Sequence, residues 1–218
     1  MKQKIIIFDF DNTLVDSLKY WYDIQNKKMF VLYGFKVDKL YPQKRRGLTN
    51  LENAKLFIKE TGIDKTPQEI KEEWHEQMKI CYTQKIKMIK GAKEFLLKLK
   101  SEKKKLVLAS ATDLSLLKIA LKHFEILDLF DEIFTEQNVR RGKSDKEFFE
   151  IVLNKLDAKP KDVFFFEDSV ESIKNALETK ISCCGIVHKF NKDRIKELDI
   201  LKIKNYKNIE KKLKKGSN

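Results

Sequence analysis

Two aspartates stand two residues apart in Asp9-Phe10-Asp11-Asn12-Thr13, directly behind the apolar run Ile5-Ile6-Ile7-Phe8. Residues at i and i+2 of an extended strand point to the same side, but Asn12 and Thr13 signal an immediate turn. The two acids can therefore take separate roles. One carboxylate can attack an electrophilic phosphorus as a nucleophile, which splits a difficult displacement into two easier ones. The other can protonate the leaving oxygen and afterwards activate water. The same five residues also suit a plain turn with Asx capping, so this motif alone leaves both readings open.

Three more polar clusters follow apolar runs. Ser110-Ala111-Thr112-Asp113 comes after the run at 106–109, and Glu167-Asp168-Ser169 comes after Val163-Phe164-Phe165-Phe166. Each can be a helix start capped by its own side chain, Thr112 or Asp113 in the first and Asp168 or Ser169 in the second. A helix start is also an anion site, so capping and phosphate binding are compatible. Glu167 and Asp168 supply hard oxygen donors of the kind magnesium takes, usually through a few carboxylates while it keeps several waters. Lys143, within Arg140-Arg141-Gly142-Lys143-Ser144-Asp145, stands ahead of a helical pattern and a strand; its plain reading is a solvated surface lysine.

The elements that must carry these residues show one rhythm. Short continuous apolar runs at 4–10, 106–109, 133–134, 163–166 and 183–187 are separated by amphipathic stretches of helical length. Continuous rather than alternating apolar residues mark strands buried on both faces, and the alternation predicts a parallel sheet with crossover helices. Residues 16–88 differ: helical patterns near 18–33, 50–61 and 67–86, the last opening with Thr66 as N-cap and Pro67 at the first helical position. This insertion is too long for a loop and reads as a helical cap over the strand ends where open α/β sheets bind ligands. The predicted organisation is α/β, a Rossmann-like core of 1–15 and 89–218 with an all-helical cap of 16–88.

The chain has 218 residues, 42% hydrophobic and 36% charged, enough for a packed core with an ionic surface. No window approaches a membrane span and the start does not read as a signal peptide, so the expected location is the cytoplasm. Cys81, Cys183 and Cys184 make neither a disulfide framework nor a metal spacing and are expected to be reduced and structural. The net charge of +13 is concentrated in the last thirty residues, where eleven Lys or Arg face four Asp or Glu; this tail is read as solvated surface. His75, His123 and His188 lie beside no matching nucleophile, which argues against a metal or triad role. Trp21, Tyr22, Phe30 and Tyr33 fit a packed helix face.

The D-x-D-x-T segment after the first strand, followed in order by Ser110, Lys143 and Glu167-Asp168, resembles the four motifs of the haloacid dehalogenase-like superfamily along the whole chain. The resemblance implies Asp9 as nucleophile and Asp11 as acid–base. It implies phosphoryl binding by Ser110, the backbone at Ala111, and Lys143. It implies Mg2+ held by Asp9, Glu167, Asp168 and the backbone carbonyl of Asp11. Dehalogenase members lack the second acid, so Asp11 with Asp168 points to phosphoryl transfer. Asn12 stands where many relatives carry glycine, and asparagine tolerates the left-handed conformation.

The helical insertion resembles the cap of the phosphoglycolate phosphatase and β-phosphoglucomutase-like branch, whose cap loop looks like Lys44-Arg45-Arg46-Gly47-Leu48-Thr49; Arg45, Arg46 and Gly47 are its candidate substrate contacts. The mutases carry an arginine three residues after that glycine and this chain has Asn50, which disfavours the mutase. The expected function is a magnesium-dependent phosphatase acting on a small phosphorylated metabolite through an aspartyl-phosphate, with phosphoglycolate, a sugar phosphate, a nucleotide monophosphate and pyrophosphate all open as substrates. The alternatives are a sugar-phosphate mutase and a non-catalytic nucleic-acid-binding protein using the basic tail. Neither a membrane nor a nucleic-acid partner is expected.

Overall fold

In the computed structural model, residues 2–36 and 49–215 are described. By its internal contacts the chain divides into two compact units, Met1–Asp16 with Met88–Asn218, and Ser17–Lys87.

The first unit is built on a six-stranded sheet of β1 (Ile5–Phe8), β2 (Lys105–Ser110), β3 (Glu132–Thr135), β4 (Val163–Glu167), β5 (Ser182–Ile186) and β6 (Leu201–Ile203). All neighbours pair in parallel, in the order β3-β2-β1-β4-β5-β6. Successive side chains of a strand face opposite ways, which is how two cores grow from one apolar run. Ile7 packs with Val107, Phe134, Phe149, Phe165 and Ile173. Phe8, its neighbour, joins a different aromatic group: it stacks on Phe166 with centroids 4.8 Å apart, and Phe95 stacks on Tyr206 at 5.5 Å.

The strand order turns at β1. The chain runs outward through β2 and β3 on one side and returns to build β4, β5 and β6 on the other, and such a reversal leaves a crevice at the carboxyl ends of the strands beside it. The register Phe8↔Phe166 aligns β1 and β4, so the residues that follow, Asp9 and Glu167, emerge side by side at this crevice.

The second unit is helical. Asn50–Thr61 and Pro67–Gln84 each begin with a reciprocal capping box, Thr49 with Glu52 and Thr66 with Glu69, the latter helix with proline at its start. Gly62, in the left-handed region at φ 68°, ends the first of them. Phe57 packs edge-on against Phe30 at 4.8 Å and against Trp74 at 6.0 Å. Trp21 and Phe30 are buried, whereas Tyr33 binds Glu73 through its hydroxyl.

Two features differ from the sequence reading. The pattern over 18–33 is not one regular helix but Leu18–Asp23, a wider π segment Ile24–Lys28, then Met29–Leu32. In the π segment Gln25 and Asn26 are buried, and the Asn26 amide donates to the Tyr22 carbonyl at 2.7 Å, competing with the backbone ladder. The Lys-rich end is not simply solvated surface. It contributes β6 at the sheet edge and buries Tyr206 and Ile209, while Lys204, Lys207, Lys211 and Lys212 are exposed and Lys202 is half-buried, bonded to the Leu198 carbonyl. All three cysteines are buried and free. Among the described residues no helix is long and apolar enough to cross a membrane.

Candidate active site

Asp9 leaves β1 with its N–H still donating to the Phe166 carbonyl at 2.9 Å, so its position is fixed by the sheet. The chain then folds back at once. The Phe10 carbonyl accepts from the N–H groups of Thr13, Leu14 and Val15, and Asn12 N–H donates to the Val15 carbonyl at 2.7 Å. Asn12 takes φ 59°, the left-handed conformation that asparagine bears better than most residues. This turn separates the two acids. Asp11 faces the end of β2, where its Oδ2 accepts from the Thr112 hydroxyl at 2.6 Å.

Lys143 comes from the far side of the sheet sequence. Arg140, left-handed at φ 61°, ends the short helix Glu136–Val139, and the next turn places Lys143 ahead of the helix Lys146–Lys155. At Gly142 an added Cβ would come within 3.1 Å of Glu136 Oε1, so the turn is tight there. Lys143 is not a solvated lysine: it is 6% exposed, and its Nζ donates to Asp9 Oδ1 at 2.5 Å and to Glu167 Oε2 at 2.7 Å. Glu167, the last residue of β4, turns its other oxygen to the N–H groups of Asp168 and Ser169, each at 3.0 Å.

The plain capping readings resolve unequally. Ser169 caps the helix Val170–Glu178 by accepting from Ser172 N–H, which leaves the Asp168 carboxylate for other use. Asp113 occupies the N-cap of Leu114–His123 without a side-chain bond to it, and the Thr112 hydroxyl goes to Asp11 instead. Ser110 is buried at the end of β2, its Oγ accepting from Thr112 N–H at 3.1 Å, while the adjoining Ala111 is exposed.

Carboxylate oxygens of Asp9, Glu167 and Asp168 lie within 4.8 Å of one another. The Asp11 carboxylate is not part of this group, being turned to Thr112. Burial, with the neighbouring charge of Glu167, pushes Asp9 up to about 7 against the pull of Lys143. Burial likewise raises Glu167 to about 7, with Lys143 opposing and Asp168 adding, and it raises Asp168 against the pull of its bond to His188. For Lys143 burial works against the charge, but Asp9 and Glu167 outweigh it and hold the ammonium charged. Three acids around one lysine thus leave uncompensated negative charge. Asp9 Oδ2 is buried and accepts no hydrogen bond from the described residues. A divalent cation with oxygen preference fits both features.

Residues that sequence reasoning did not place also converge here. His188 Nε2 lies 2.9 Å from Asp168 Oδ2, and the Asn191 amide donates to the Asp168 carbonyl at 2.8 Å. Tyr206 donates its hydroxyl to the Thr13 carbonyl at 3.0 Å, under the Asp9–Val15 turn. His188 offered one signal, its place just past β5 at the same sheet edge as the other clusters. Tyr206 offered none. His75 and His123 are not among the clustered ligand atoms. Arg45, Arg46 and Gly47 lie outside the described residues.

The model of the haloacid dehalogenase-like hydrolase family matches residues 6–186. A phosphorylated carbohydrates phosphatase of Thermotoga maritima is 26% identical over 187 residues, 85% of this chain and 86% of that protein. A solved structure from the same organism, provisionally described as a β-phosphoglucomutase, aligns with TM-score 0.76 at 25% identity, over 98% of this chain and 99% of its own. A family IA, variant 3 hydrolase of Entamoeba histolytica aligns over 100% of both chains with TM-score 0.82 at 18% identity, a likeness of fold. The protein belongs to the haloacid dehalogenase-like hydrolase family and is an enzyme of the phosphoric monoester hydrolase type.

Proposed function

We propose that this enzyme is a magnesium-dependent phosphatase of small phosphorylated carbohydrates that works through a phosphorylated Asp9. The observation that carries the reading is the buried Lys143, bonded to Asp9 and Glu167 beside an Asp9 oxygen that accepts no hydrogen bond from the described residues. An anionic nucleophile approaching an anionic phosphoryl group needs that charge compensated in a dry site.

In this mechanism an Asp9 carboxylate oxygen attacks phosphorus while the bond to the leaving alkoxide breaks. Asp11, held by Thr112, gives its proton to that oxygen. Asp11, now ionised, takes a proton from water, whose oxygen attacks the phosphorus of the aspartyl-phosphate and frees Asp9 and inorganic phosphate. Ser110 and the backbone at Ala111 orient the phosphoryl oxygens, and Lys143 stays charged throughout. Asp9, Glu167, Asp168 and the Asp11 carbonyl would hold magnesium, which supplies further neutralisation of the transferring group.

The carbohydrate class is taken from the Thermotoga maritima relative, whose name assigns it phosphorylated carbohydrates. The helical unit would select among substrates as a cap, with Arg45, Arg46 and Gly47 as contacts. The mutase reading is disfavoured at Asn50: in place of an arginine clamp stands an amide whose Oδ1 accepts from Gln25 at 3.1 Å.

The test is a panel of phosphorylated carbohydrates, phosphoglycolate and nucleotide monophosphates assayed with magnesium and compared by kcat/KM, with Asp9→Asn as control. Release of phosphate from carbohydrate esters, absent in Asp9→Asn and in EDTA, is expected. Isomerised sugar phosphate without net phosphate release would establish the mutase, and full turnover by Asp9→Asn would end the nucleophile assignment.

A further inference from the structure

We propose that His188 is a positioning residue for Asp168, acting with Asn191 as a clamp that presents the carboxylate to the cation; the inference rests on the magnesium reading above. His188 Nε2 is 2.9 Å from Asp168 Oδ2. On the other side of the ring, Phe190 N–H donates to Nδ1 at 3.2 Å. A nitrogen that accepts cannot carry the proton of the neutral ring, so the proton sits on Nε2 and His188 donates to Asp168.

The donor is itself held. His188 N–H donates to Asn191 Oδ1 at 2.9 Å. The Asn191 amide nitrogen donates in turn to the carbonyls of Asp168 and Ile186, both at 2.8 Å. Asp168 is thus gripped at its carboxylate and at its carbonyl from one turn, which follows β5, and that turn is tied back to the last residue of its own strand. The other acids of the cluster have different supports. Lys143 bonds Asp9 and Glu167, and backbone N–H groups after β4 bond Glu167. Lys143 makes no bond to Asp168, and Ser169 rather than Asp168 caps the following helix. The clamp therefore supplies to Asp168 what the lysine and the strand end supply to its neighbours. Magnesium demands near-octahedral geometry with short bonds, and partners that orient its ligands commonly carry a large share of the affinity.

Two variants separate the donor from the bulk of the ring. His188→Gln keeps an amide N–H at similar reach, and His188→Leu keeps apolar volume without a donor. Magnesium binding is measured by calorimetry on the metal-free full-length protein, with kcat and KM at saturating magnesium recorded beside it. His188→Leu is expected to weaken magnesium by about 10–100-fold, the usual effect of losing such a partner, with His188→Gln recovering most of it. Saturating magnesium should restore most of kcat in both, because Asp9, Asp11 and Lys143 are untouched. Unchanged affinity in His188→Leu, with Asp168→Ala weakened as the control, would overturn the clamp and leave the magnesium reading standing. Equal loss in both variants would overturn the donor role. Absence of magnesium binding in the unaltered protein would remove both readings. Should His188→Leu fail to fold, the 15N spectrum of the neutral ring in the unaltered protein decides: Nε2–H is expected, and Nδ1–H would overturn the proposal.

Discussion

Asp11 shows how a single side chain can be separated from its neighbour by a turn of backbone. Asp9 continues the sheet hydrogen bonding, whereas Asp11 is reached after the chain has folded over Phe10 and is oriented by Thr112. If Asp11 is the acid–base, Asp11→Asn should slow hydrolysis of an alkyl phosphate by roughly 10²–10⁴-fold. A substrate with a good leaving group, such as p-nitrophenyl phosphate, needs no proton to depart, so it should give a burst and a protein heavier by one phosphoryl group. Equal loss on both substrates with no trapped species would show Asp11 to be structural. The buried acids make a second prediction. Asp9 and Glu167 are both pushed up to about 7, so below that pH they hold protons that a cation must displace, and above it they do not. Magnesium affinity should fall from about pH 8 to about pH 6, by up to roughly tenfold per unit for each proton released on binding. Titration calorimetry at several pH values measures this directly, and a flat profile would contradict it.

At the scale of elements, the site hangs on strand ends that are pinned from below. The Tyr206 ring lies in the aromatic group with Phe8, Phe95 and Phe166, and its hydroxyl reaches the Thr13 carbonyl of the Asp9–Val15 turn. Tyr206→Phe keeps the ring and removes the donor, which leaves a buried carbonyl short of a partner at a cost of about 1–3 kcal/mol. Urea unfolding should show that loss, and kcat should fall with it because the turn that carries Asp11 is loosened. Unaltered stability and turnover would mean that the turn is held by its own backbone bonds. The helices of the second unit have independent reasons to form, since each capping box satisfies backbone donors locally.

At the scale of the whole molecule, the formal charge of +13 sits on a fold whose site is acidic. Lys211 and Lys212 lie in the last helix, Ile209–Lys215, beyond the buried Tyr206 and Ile209. Replacing both by glutamine should lower retention on heparin while leaving kcat/KM on a small phosphate ester within about twofold, because exposed charges act over only about a Debye length. A fall in kcat/KM as large as the fall in retention would tie the tail to catalysis. Truncation after Tyr206 is a harsher change, since it removes buried Ile209 as well as charge.

Much of this architecture could be read from the chain because local physics decides it. Continuous β-branched and aromatic runs are committed to a sheet buried on both faces, and Thr66-Pro67 writes a helix start. The motif order told which strand ends carry acid, and Asn12 announced a left-handed turn. The edge strand Leu201–Ile203 was hidden, since three residues with a lysine in the middle have no period to detect. The π segment was hidden too, because Gln25 and Asn26 fit a helical pattern until their burial is known. What only tertiary structure decided is adjacency. Lys143 meets Asp9 across 134 residues of chain and Glu167 across 24, because the sheet order turns at β1 and brings β1 and β4 together. The same packing changes the chemistry of the residues it gathers: a lysine whose plain reading is solvated surface becomes a buried cation, carboxylates that would ionise freely in water retain protons near neutrality, and a histidine with no partner nearby in sequence comes within 2.9 Å of Asp168. Periodicity and propensity act over a few residues, whereas desolvation and charge pairing depend on what the fold brings within a few ångströms.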